Sequence, residues 1–160
     1  MNYVSLTYLA NLFLYSLYFL SRNGAETDAS PLAYTISGVL SLFLIGAGYW
    51  NAKNKMTYRS VLWMFFVNIL LFIMSGVFDR FGEDFNILST AGDESFIFTL
   101  VLVAYNGYLY PMIIDLDGSG FPLVLPVILS GVLPSLGYLA GAGYFSKNRI
   151  SGNNDQLLKK

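Results

Sequence analysis

Five long apolar stretches, at residues 3–20, 32–50, 61–78, 96–114 and 121–145, contain none of the chain's charges. All nine Lys and Arg and all ten Asp and Glu lie between these stretches or after the last. Crossing the hydrocarbon core of a bilayer takes about 20 apolar residues in a helix, and a charge left in lipid costs several kcal/mol. Such a partition predicts an all-α, polytopic membrane bundle with about five transmembrane segments and short loops. Strands are a poor fit, because membrane strands alternate in short segments and these runs are continuous. Charged residues make up 12% of the 160-residue chain and mean hydropathy is +0.55. A soluble domain carries about a quarter charged residues. Aromatic pairs mark segment ends: Tyr49 and Trp50 close the second, while Tyr58 and Trp63 open the third. The first segment starts at Tyr3 with no basic stretch before it and reads as a retained helix.

Residues 1–145 thus read as one transmembrane domain, and 146–160 as a polar, basic tail, disordered in part. The chain is expected in the cell membrane as a multi-pass protein. Its orientation meets a conflict. Lys and Arg collect on the cytoplasmic side, and here they cluster in the second loop (Lys53, Lys55, Arg59) and in the tail (Lys147, Arg149, Lys159, Lys160). Five full spans put these clusters on opposite faces. Four spans with one late re-entrant segment put both inside. Either arrangement makes the tail cytoplasmic, and the N-terminus decides: outside for five spans, inside for four. Pro111, Pro122, Pro126 and Pro134 mark where a broken helix would fall.

Two segments echo each other. Ile36-Ser-Gly-Val-Leu40 and Gly46-Ala-Gly-Tyr-Trp50 match Leu129-Ser-Gly-Val-Leu133 and Gly141-Ala-Gly-Tyr-Phe145. A weaker match, Asn-x-x-Leu-Tyr, begins at Asn11 and at Asn106. This suggests a duplicated helical hairpin, segments 1–2 and 4–5. One full span between the copies would invert them, as in many transporters. The spacing within the matched helices differs by two residues, and small residues are common in membrane helices.

Three asparagines, Asn11, Asn68 and Asn106, fall near the middle of their segments. Tyr8 and Tyr15 share a helix face with Asn11, and Tyr110 shares one with Asn106. Polar groups in hydrocarbon need partners, so these faces should turn inward, as interhelical contacts or as a polar path. On the fifth segment Ser130, Pro134, Gly137, Gly141 and Tyr144 share a face. The Gly137–Gly141 pair has the small-residue spacing of close helix contacts, within the chain or between chains. The run Asp115, Asp117, Ser119 and Gly120 matches the first half of a calcium loop. Leu123 and Pro126 occupy the later ligand positions, so calcium would need help from Asp93 or Glu94. The plain alternative is a glycine-rich turn, and no cofactor is otherwise implied.

With no His and no Cys, imidazole and thiol catalysis are excluded, and a net charge of −1 argues against nucleic acid as partner. The chain reads as a small non-catalytic integral membrane protein in contact with the lipid bilayer. It would assemble as a homo-oligomer or as a subunit beside a membrane-protein partner, in an accessory, sensor, immunity or defence role. The alternative is a small-solute transporter or channel with an Asn-lined path. An intramembrane enzyme comes last, because Asp115 and Asp117 share one loop and do not face each other on two helices.

Overall fold

The computed structural model describes residues 1–21, 30–76, 95–109, 111–112 and 124–157, with side chains described as far as Phe145. Within them lie α1 (Tyr3–Ser21), α2 (Pro31–Lys53), α3 (Arg59–Met74), α4 (Phe96–Tyr105), a 3-10 turn (Gly107–Leu109) and α5 (Val124–Leu157). No strand occurs among the described residues.

The boundaries follow local chemistry. Ser30 caps α2, its Oγ accepting from the Ala33 N–H at 3.2 Å, and Pro31 follows where its missing N–H costs nothing. At the other end the Met56 N–H bonds to Asn51 O and the Lys55 N–H to Ala52 O, both at 3.0 Å. Lys55 takes φ +56° to close this Schellman turn. The helix therefore runs past the expected end at Trp50 and takes in Asn51. α4 stops after ten residues, well short of the expected 96–114 segment. Asn106 caps it, Gly107 is a poor helix former, and Pro111 cannot donate to a continuing helix. α5, by contrast, continues through Leu157, so the backbone of the tail is helical as far as that residue. Nothing between Phe145 and Leu157 breaks it, since no proline occurs there.

Side-chain contacts give each helix a direction. α1 and α2 are antiparallel: the Tyr3 N–H donates to Asn51 Oδ1 at 2.9 Å, and Asn11 Nδ2 to Leu40 O at 3.2 Å. α3 opposes α5, with the Tyr58 and Ser135 hydroxyls 2.9 Å apart and Phe65 against Gly131. α4 also opposes α3, with Thr99 near Ser75 and Asn106 bonded to Asn68. α2 and α5, which share the most extensive interface, run parallel. Gly137 lies against Ile45 and Tyr49, Gly141 against Tyr49 and Ala52, and the Tyr49 ring 5.6 Å from that of Phe145.

The molecule thus has two ends. α1 and α3 begin at the first, where α2 finishes. α4 and α5 both begin at the second. Five alternating full crossings would make α2 and α5 antiparallel, so their parallel course corrects that expectation. It equally removes the inverted hairpin repeat. The matched glycines are not equivalent either: Gly48 and Gly141 are buried while their counterparts Gly143 and Gly46 are exposed, and buried Gly131 pairs with exposed Gly38.

Several uncharged polar side chains are buried beside the apolar cores, while many large apolar side chains are exposed. Asn51, Asn68, Asn106, Thr99 and Ser130 are fully buried, while Leu42, Phe13, Ile73 and Ile97 are more than 60% exposed. α2 and the Val124–Phe145 part of α5 are long and apolar enough to cross a membrane, yet only 33% and 39% of their apolar windows are buried. The main core gathers Tyr8, Leu44, Val61, Met64, Tyr108 and Leu109 from α1, α2, α3 and the 3-10 turn. A smaller one, Phe72, Leu102 and Val127, joins α3, α4 and α5.

Candidate functional site

The tip of α4 brings most of the central polar residues together. Asn106 Nδ2 donates to Asn68 Oδ1 on α3 and to Leu102 O, and Asn68 Nδ2 donates to Met64 O at 3.0 Å. These carbonyls set both amide orientations. Rotating either amide would put its Oδ1 against a carbonyl oxygen, acceptor facing acceptor. Tyr8 stacks on Tyr105 at 5.2 Å and meets Tyr108 edge-on at 6.0 Å, with the Tyr8 and Tyr108 hydroxyls 3.5 Å apart. Tyr105 donates to Met64 Sδ at 3.3 Å. Tyr15 is buried against the turn: a Cβ built on Gly107 would lie 3.0 Å from its ring. A side chain at Gly107 would require the Tyr15 ring to shift by a few tenths of an ångström.

Asn11 stays apart from the other two asparagines, since its amide reaches the α2 backbone at Leu40. Its Oδ1 and that of Asn106 are buried without a hydrogen-bond partner among the described residues. Tyr110 lies outside the described residues, as do Asp115, Asp117 and Ser119 of the calcium reading. Among the described residues no group of three or more acidic, His or Cys side chains is placed to hold a metal.

Gly137 and Gly141 are used within the chain. A Cβ on Gly137 would fall 1.8 Å from Ile45 O, and one on Gly48 would fall 1.9 Å from Pro134 O. The two helices meet backbone to backbone, so this pair is not available to bind a second copy.

A second polar knot, absent from the sequence reading, closes the first end. Asn51 accepts from the Tyr3 N–H and donates to Asn2 Oδ1 at 2.9 Å and to Ser60 Oγ at 3.1 Å. Asn2 Nδ2 in turn donates to Ser60 O at 2.7 Å. One side chain, fully buried, thus joins α1, α2 and α3. The available signal was an asparagine one residue beyond an interfacial tryptophan. It was obscured because α2 outlasts its apolar run. Tyr105 and Tyr108 were equally missed, though they flank Asn106 directly.

The central cluster offers hydrogen bonding without a carboxylate, amine, imidazole or thiol among its described residues. Its direct chemical consequence is helix cohesion. Asn106→Leu strands Asn68 Oδ1 and should cost about 1–2 kcal/mol. Asn68→Leu combined with Asn106→Leu should cost less than the sum of the single changes, because no orphan then remains. Denaturation of purified protein in detergent measures the cycle, and strict additivity would deny the coupling.

Comparison with known proteins finds no matching family model, no matching curated relative and no matching solved structure.

Proposed function

We propose that the chain is a non-catalytic, multi-pass membrane protein with four crossings, α1, α2, α3 and α5, and a re-entrant α4. It serves as a component of a larger membrane assembly. The observation that carries the membrane reading is the surface: many large Leu, Phe, Ile and Trp side chains are exposed, while amides and hydroxyls are among the buried groups. In water this surface would be an aggregation hazard; in lipid it is the solvent-matched face.

The topology is supported by charge. Lys53, Lys55 and Arg59 belong to the end where α2 finishes and α3 begins, and α5, which carries Lys147 and Arg149 in its C-terminal part, runs toward that same end. Every acidic residue except Asp155 lies between α1 and α2, between α3 and α4 or between α4 and α5, with only Arg22 and Arg80 for company. Both basic clusters then face the cytoplasm, as the charge rule requires. Five crossings would split them. The N-terminus and the tail are both cytoplasmic in this reading.

The chain has no cysteine, so single cysteines placed at Glu26, Asp84, Lys55 and Asn154 report sidedness cleanly. Glu26→Cys and Asp84→Cys should react with an impermeant maleimide from outside, and Lys55→Cys and Asn154→Cys only after permeabilisation. Opposite sidedness of Lys55 and Asn154 would overturn the four-crossing reading. The assembly reading is tested by native sizing after extraction with surrounding lipid: a particle containing only one 17.8 kDa chain would end it.

A second reading, a conduit for small neutral solutes, is favoured by the buried Asn11 and Asn106 oxygens that have no hydrogen-bond partner among the described residues. Solute-driven swelling of liposomes that Asn106→Leu abolishes would replace the first reading with this one.

A further inference from the structure

A groove of about 430 Å³ opens between α1 and α2 on the outer surface of the molecule. Leu14, Leu42, Phe43, Gly46, Trp50 and the buried Asn11 are among the residues that line it. Gly46 has open space above it, since a Cβ built there meets nothing within 4 Å. From Leu42 to Trp50 the helix rises about 12 Å, close to the roughly 15 Å depth of one leaflet's hydrocarbon. At the Trp50 end the surface becomes basic: Lys53 Nζ lies 4.6 Å from the Trp50 ring centroid. Lys55 and Arg59 are exposed at the same end of the molecule. Asp155 is the only acidic residue among those described, so no acidic side chain described there neutralises these three cations.

We propose that this groove holds one acyl chain of an anionic phospholipid whose phosphate rests against Lys53 and Lys55. The proposal relies on the membrane reading above, which sets the basic end at a headgroup layer. Charge selects this occupant: an apolar helix would satisfy the walls and leave the lysines unmatched, whereas a phospholipid meets both parts at once. Anionic headgroups attract basic residues near the surface, and an aromatic ring beside the ammonium marks the interface.

The test uses the purified full-length chain in detergent. Phosphatidylglycerol, phosphatidylcholine with the same acyl chains, or inorganic phosphate is added. Lipid retention is read by native mass spectrometry and stability by thermal melting. Phosphatidylglycerol should be retained and should raise the melting temperature more than phosphatidylcholine, and phosphate alone should do neither. Lys53→Gln with Lys55→Gln should weaken phosphatidylglycerol binding about thirtyfold, toward the phosphatidylcholine level. Gly46→Leu should reduce retention of both lipids in a protein that stays folded, since a Cβ there meets nothing within 4 Å.

Equal effects of the two lipids, an equal effect of phosphate, or undiminished retention by folded Gly46→Leu would each overturn the proposal. So would a dimer that Gly46→Leu dissociates, which would assign the groove to a second copy. If Gly46→Leu melts early, Leu42→Ala, which removes groove wall from an exposed position, replaces it under the same criterion. Binding in detergent has no sidedness, so a failed topology map and a failed lipid preference remain distinguishable.

Discussion

Gly137→Ile should abolish the folded state. The added Cβ alone would fall 1.8 Å from Ile45 O and 2.7 Å from the carbonyl carbon, and it would also crowd the Tyr49 nitrogen at 3.0 Å. These are backbone atoms in the middle of a helix. They cannot rotate away as a side-chain tip can, so α2 and α5 must separate along their length. Overpacking costs about 1–3 kcal/mol when side chains can yield, and more is expected here. The helices also lose the close contact that holds apolar helices together in lipid, where no hydrophobic effect acts between them. Gly48→Leu should behave alike, with Pro134 O only 1.9 Å from its Cβ. Gly38→Ala and Gly143→Ala meet nothing within 4 Å and should change stability by less than about 1 kcal/mol. Melting of the four variants in one detergent decides the matter. A folded, monomeric Gly137→Ile would refute the packing argument. Folded protein with a changed oligomeric state would restore the intermolecular role of the Gly137–Gly141 pair.

Asn51→Leu should cost about 2–4 kcal/mol. The leucine has similar bulk, so the loss is that of three hydrogen bonds: to the Tyr3 N–H, to Asn2 and to Ser60. The effect should concentrate at the start of α1. Hydrogen exchange of the first turn should accelerate while the centre of α2, held by Gly48 and Leu44, stays protected. Uniform acceleration across all helices would mean that Asn51 supports global stability only. Asn2→Ala should reproduce a fraction of the effect, because Asn51 and Ser60 still pair without it.

How far the sequence reached can be judged on individual residues. Asn11, Asn68 and Asn106 were each recognisable as amides that need partners, because an amide inside an apolar run has few other options. The mutual bond of Asn68 and Asn106 was not readable, since it depends on α4 descending beside α3 and stopping at that depth. The stop itself left a trace in Asn106, Gly107 and Pro111, but it falls ahead of the prolines expected to break a helix, and Pro134 lies inside a continuous α5. Asn11 looked identical in composition and proved different, as Leu40 on α2 lay within reach first. The glycine pair of the fifth segment was legible as a contact surface, but not as one already filled by Ile45 and Tyr49.

The sequence by itself determined the helical class, the location of the apolar segments and the exclusion of charge from them. Each of these is a property of a window of about 20 residues and its solvent, independent of what lies elsewhere in the chain. Only the tertiary structure decided that α2 and α5 run parallel, that α4 stops at Tyr105, and which glycines meet a backbone. Those outcomes depend on carbonyls and side chains brought close from distant parts of the chain, where a displacement of one ångström separates contact from collision. The conflict between the two basic clusters was visible from the outset. The direction of α5, invisible in the sequence, carries the chain toward the end that holds Lys53, Lys55 and Arg59.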